Sequence, residues 1–152
     1  MRAALLCTLV VLGCTPGEEL WSSSDTGFRF AYVHDDCAPW DGHALTIVLG
    51  DEERESPFEA HYPSVRITSY RPPVQLAGGA FQWAGIAQDD GYAIWCDSAE
   101  ACLTASAVRV RFDRSQPSED ELAGQVHAEF EDGRILSGAF RAVRLTQLML
   151  CG

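Results

Sequence analysis

From Gly27 onward, apolar and polar residues alternate with a period of two, broken at short intervals by turn residues. Phe28, Phe30 and Tyr32 alternate with Arg29, Ala31 and Val33, the pattern of a half-buried strand. Cys37-Ala38-Pro39-Trp40-Asp41-Gly42 reads as a turn, and residues 44–49 form the next apolar run. Residues 51–56 make an acidic connection that is expected to be exposed. Alternation resumes over 65–70 and stops at Pro72-Pro73, whose nitrogens cannot donate to a ladder. Two further strands, about 80–87 and 92–96, flank Asp89-Asp90-Gly91. Over 107–112, Val108, Val110 and Phe112 stand opposite Arg109 and Arg111.

The last hairpin is the best specified. Its strands, near 122–130 and 134–143, meet at Glu131-Asp132-Gly133. A two-residue loop would set Leu136 and Phe140 beside Glu129 and Gln125. A three-residue loop with Gly133 in the left-handed region pairs Ala128 with Leu136, Gly124 with Phe140, Val126 with Gly138 and His127 with Ser137. The second register separates apolar from polar residues, so it predicts a type I turn with a G1 bulge. No segment keeps a helical period beyond two turns, although 97–101 and 118–122 each suit one brief helical turn. Seven or eight short, regularly spaced strands predict an all-β fold, an antiparallel β-sandwich or a small β-barrel.

The chain ahead of this domain has a different character. Arg2 precedes an apolar run from Ala3 to Leu12, broken only by Thr8. About 20 apolar residues are needed to span a bilayer, so this run suits the apolar region of a secretory signal instead. Its end, Val11-Leu12-Gly13-Cys14, resembles the lipobox of bacterial lipoproteins, with an aliphatic residue three before the cysteine and a small residue directly before it. The resemblance covers only these residues. It implies cleavage before Cys14 and lipid on its sulfur, and usually acylation of the new amino group. In that family an Asp after the cysteine favours the inner membrane, so Thr15 directs the expectation to the outer membrane, facing the periplasm or the cell surface. Residues 1–13 are then a signal peptide, 14–26 a lipidated and Ser-rich acidic tether, and 27–152 a single β domain.

Cysteine number fits that division. Of six cysteines, Cys7 leaves with the signal and Cys14 carries lipid. Cys37, Cys96, Cys102 and Cys151 remain, an even set suited to an oxidising compartment. The short polar loop 97–101 favours Cys96–Cys102, which leaves Cys37–Cys151 to join the two ends of the domain. No His lies at zinc spacing near Cys96 and Cys102, so a metal site is the lesser reading of this pair.

The formal charge of −11 becomes −12 when Arg2 is lost. Such a surface repels nucleic acid and suits solubility, or a cationic protein partner. All eleven basic residues are Arg, and the chain has neither Lys nor Asn, a bias that no single physical requirement explains.

Candidate chemistry is sparse. His34, Asp36, Asp41 and His43, with Asp35, form the densest set of ligand types, and a folded-back turn would let them hold a divalent ion. Ordinary turn chemistry explains the same residues equally simply. The carboxylate groups Glu18/Glu19, Asp51/Glu52/Glu53, Asp89/Asp90 and Glu129/Glu131 fall in turns or on outward faces, where solvation accounts for them. His127 and Ser137 face each other across the hairpin without an evident third catalytic member. Arg109 and Arg111, with Arg141, mark an outward face or, if turned inward, an anion site. Trp21, Trp40, Trp83 and Trp95 are too dispersed along the chain to define a platform. With no catalytic motif and no cofactor signature, these observations point to a lipid-anchored binding or structural module in the cell envelope. By analogy alone, its size, charge and disulfides also fit the acidic lipoproteins that inhibit lysozyme, whose motif residues it lacks.

Overall fold

The computed structural model describes residues 26–56, 59–85, 89–146 and 151. The strands are β1 (Phe30–Cys37), β2 (His43–Gly50), β3 (Ser64–Ser69), β4 (Ala80–Ala84), β5 (Gly91–Cys96), β6 (Cys102–Phe112), β7 (Glu121–Phe130) and β8 (Ile135–Arg144). The described residues contain no helix. Between sandwich and barrel, the fold is a barrel. Pairing runs β6–β5–β3–β2–β1–β8–β7 and returns to β6, closing seven strands. Closure removes the unpaired edges that an open sheet must protect. All pairings are antiparallel except the β1–β8 seam, which is parallel and has two register pairs, Tyr32 with Val143 and Val33 with Arg144.

Strand β6 starts five residues earlier than its alternation indicates. Its register shifts between Ala105 and Ala107 opposite Phe130 and Glu129. The extra residue, Ser106, changes which parity faces inward and breaks the period-two signal. Leu103 and Ala105 point to the core before the bulge, and Val108, Val110 and Phe112 after it. The two halves of β6 also have different neighbours. Residues 102–104 pair with β5, and 107–111 with β4. The strand expected over 80–87 is described only to Ala84, followed by Gly85, and residues 86–88 lie outside the described set.

The barrel interior holds Val33, Leu45, Ile47, Val65, Ile67, Val110, Val126, Leu136 and their neighbours. Aromatic rings pack towards its ends, with Trp95 against Phe28 and Phe130, and Phe112 against Phe81 and Phe140. The first strand differs from its sequence pattern. Ala31 and Val33 face the core, whereas Tyr32 and His34 lie on the outer face yet are also buried. Residues of 51–56 and 59–63 cover the Tyr32 end of this face, and the Arg54 amide donates to the Tyr32 hydroxyl at 2.8 Å. The connection expected to be exposed therefore contains a buried residue, Arg54. Burial pushes the Tyr32 phenol above its ordinary pKa.

The final hairpin has the predicted register. Ala128 pairs with Leu136, Val126 with Gly138 and Gly124 with Phe140. Gly133 adopts φ 89°, its amide donates to the Phe130 carbonyl at 2.9 Å, and the Phe130 amide donates to the Arg134 carbonyl at 2.9 Å. These are the bonds of a type I turn followed by a G1 bulge. The brief helical turns are absent. Residues 97–101 form a tight turn in which Asp97 N–H donates to the Ala101 carbonyl, and Ser118 bridges Glu121. Both expected disulfides are present, Cys96–Cys102 across six positions and Cys37–Cys151 across 114. The second joins the end of β1 to the chain beyond β8, beside the parallel seam.

Candidate functional site

The proposed ligands of the first turn have separate tasks. The His34 Nδ1 faces the Asp35 carbonyl at 3.0 Å. One Asp36 oxygen accepts from the Cys37 amide and the other from the Thr46 hydroxyl, which also bonds Thr68 at 2.8 Å. Asp41 carries the turn at φ 62°. His43 Nε2 meets Asp35 at 2.9 Å. Among the described residues, no group of three or more His, Cys, Asp or Glu side chains is arranged to hold a metal ion.

His34 is nonetheless unusual. It is 5% exposed, and its Nε2 has no hydrogen-bond partner. Burial lowers its pKa, opposed by the Asp35 carbonyl and by Asp36 and reinforced by Arg66. The neutral imidazole is thus the form the fold accepts. Its contribution to stability is complete above the ordinary His pKa of about 6.5 and is lost as pH falls through the lower folded value. Denaturant titrations should therefore show stability falling as pH drops below about 6.5, with a flatter profile in His34→Asn. Parallel profiles in the two proteins would exclude His34 as the source.

Arg109 and Arg111 face outward, as do Gln125, His127 and Ser137 on the neighbouring strands. Together they line an open groove of about 620 Å³ over β6, β7 and β8. Arg109 donates to Gln82 at 3.2 Å, and His127 Nε2 meets the Glu129 carboxylate at 3.2 Å. His127 and Ser137 do pair in register, but Glu129 engages the outer imidazole nitrogen, so the pair is not set out as a nucleophile and base. Arg141 is tied to Glu121 by two hydrogen bonds.

Another pocket lies against Arg54 and residues 60–62 and escaped the sequence reading. It has a volume of about 250 Å³ and is lined by Arg54, His61, Ser64, Arg66, Val48 and Ile94, among others. Arg66 projects from β3 next to Val48 of β2, which itself pairs with Tyr32 of β1. Arg54 reaches the pocket from the covering segment, where Nη1 donates to the Glu59 carbonyl. Arg54 is 5% exposed, and its Nε has no partner. Burial first, and Arg66 second, lower its pKa. His61 meets the Glu52 carboxylate and lies 3.4 Å from that of Glu59, whose charge also partly opposes the lowering at Arg54. A lone arginine in the run Asp51-Glu52-Glu53-Arg54-Glu55 was the one available signal.

The tryptophans also have distinct surroundings. Trp83 stacks on Phe81, Trp95 packs in the core, and half-exposed Trp40 meets Tyr70, which meets Tyr92. Trp21, Cys14 and the rest of residues 1–25 lie outside the described set. Comparison with protein-family models, curated proteins and solved structures finds no match to this chain.

Proposed function

We propose that this protein is a lipid-anchored module of the bacterial cell envelope that acts by binding rather than by catalysis. The observation that carries this reading is the cysteine pairing. Cys37–Cys151 and Cys96–Cys102 use four cysteines, and the other two, Cys7 and Cys14, both fall within the first fourteen residues. Disulfides suit an oxidising compartment, and an exported chain needs a signal such as residues 1–13. The binding part of the reading draws on the outer face of the barrel, where arginine-lined recesses lie without a nucleophile–base–carboxylate array among the described residues.

Metabolic labelling tests the anchor. When the full chain is expressed in a bacterium supplied with radioactive palmitate, the wild-type protein should take up label and Cys14→Ser should take up none. Equal labelling of the two proteins, or no label in either, rules out lipid on Cys14.

A further inference from the structure

We propose that the pocket lined by Arg54, His61, Ser64 and Arg66 binds a phosphoryl group, held by the Arg54 and Arg66 guanidinium groups. This goes beyond the anchoring reading and does not depend on it.

The chain carries 22 acidic residues against eleven arginines, so an arginine without a carboxylate is not for want of partners. Arg71, Arg134, Arg141 and Arg144 all form ion pairs. Among the described residues, Arg29, Arg109, Arg111 and Arg114 form none but are exposed to water, whereas Arg54 and Arg66 form none while buried and half-buried. Yet these two line the same pocket, and Arg54 is almost wholly buried there with Nε unpartnered. A buried charge without a partner is costly, and buried unsatisfied donors are rare in folded proteins. A dianionic ligand in the pocket would offset the uncompensated charge of Arg54 and the repulsion between the two arginines, and would accept from the guanidinium N–H groups that line it.

The size and chemistry of the pocket select the ligand. Its volume of about 250 Å³ suits one head group rather than a large molecule. Two guanidinium groups match a phosphate monoester, with about −1.5 to −2 charges and three acceptor oxygens, better than a single carboxylate. Ser64 and His61 add polar contacts at the wall, and Val48, Ile94 and the Cys96–Cys102 bridge provide apolar surface for the group that carries the phosphate. The general acidity of the protein works against anion binding elsewhere on its surface, so binding here rests on these two residues.

Phosphoryl groups reach a protein as free esters or as lipid head groups, and the experiment separates them. Full-length protein in detergent is titrated calorimetrically with phenyl phosphate, phenol and acetate, and in parallel its Cys14→Ser form, free of detergent, is mixed with vesicles of phosphatidylcholine alone or with phosphatidic acid. Saturable one-to-one binding of phenyl phosphate, with phenol silent and acetate about tenfold weaker, is the result expected for a free ester. Retention only by vesicles that contain phosphatidic acid would assign the lipid source. In either case Arg66→Gln should weaken binding by about tenfold or more. Arg54→Met should abolish binding while leaving thermal stability equal or higher, because it removes a buried unpaired charge. If Arg54→Met does not fold, half-buried Arg66 still gives the answer. Absence of binding in every arm, or unchanged binding in Arg66→Gln, overturns the proposal.

Discussion

Removing the Cys37–Cys151 bridge should lower unfolding stability by about 5 kcal/mol, roughly twice the loss from removing Cys96–Cys102. The difference follows from loop length, since the bridges span 114 and six positions. A long closure removes more freedom from the unfolded chain than a short one. The long bridge also has a local task. Closure of the barrel depends on the β1–β8 seam, where only two register pairs join parallel strands, while β7 and β8 pair along their whole length. Arg144 to Asp35 at 3.6 Å and the Leu145 amide to the Val33 carbonyl at 2.9 Å extend the seam, and the bridge fastens the same two chain ends. Chemical denaturation of Cys37→Ala/Cys151→Ala and Cys96→Ala/Cys102→Ala gives the two values. Hydrogen exchange should show β1 and β8 amides losing protection first in the former. Equal losses in the two double variants would contradict the account of closure.

Phe112→Ala should cost about 3–5 kcal/mol. Phe112 is 1% exposed at the end of β6, with ring contacts to Phe81 of β4 and Phe140 of β8. Gly124 of β7 brings its backbone against the same place, and a Cβ there would lie 3.1 Å from the Phe112 Cα and 2.5 Å from the Arg111 carbonyl. The residues around this ring come from three strands fixed by pairing, so they cannot collapse into the space it leaves. The expected loss is read from urea unfolding at neutral pH. A loss below about 1.5 kcal/mol would mean that this end of the barrel repacks freely.

The features visible in the sequence are those governed by neighbours along the chain. Gly133 settles the last hairpin because the left-handed turn position and the sorting of Phe140 and Leu136 to one face give the same register. Cysteine parity and the short loop 97–101 identify both bridges. What escaped depends on contacts distant in sequence. The choice of barrel over sandwich rests on the β1–β8 seam, which joins residues more than a hundred positions apart and has little pattern of its own. Ser106 conceals the first half of β6 because one bulged residue reverses the alternation. Tyr32 is buried on the outer face, where the backbone of Arg54 from the following connection bonds its hydroxyl. Arg54 is itself buried, although it stands among acids and reads as solvated. Arg66 resembles any outward residue of an alternating strand until Arg54 is placed beside it. The candidate site was therefore hidden by the same long-range packing that builds it.

Mass spectrometry of the intact protein purified from its native membrane, before and after reduction, tests the central claim most directly. The account predicts a chain beginning at Cys14 with a diacylglyceryl group on its sulfur, and a mass change on reduction equal to two disulfides. Peptide mapping should then pair Cys37 with Cys151 and Cys96 with Cys102. An intact Met1 terminus with unmodified Cys14 would contradict export and anchoring alike, while Cys14 found in a disulfide would contradict the division of the six cysteines on which the account rests.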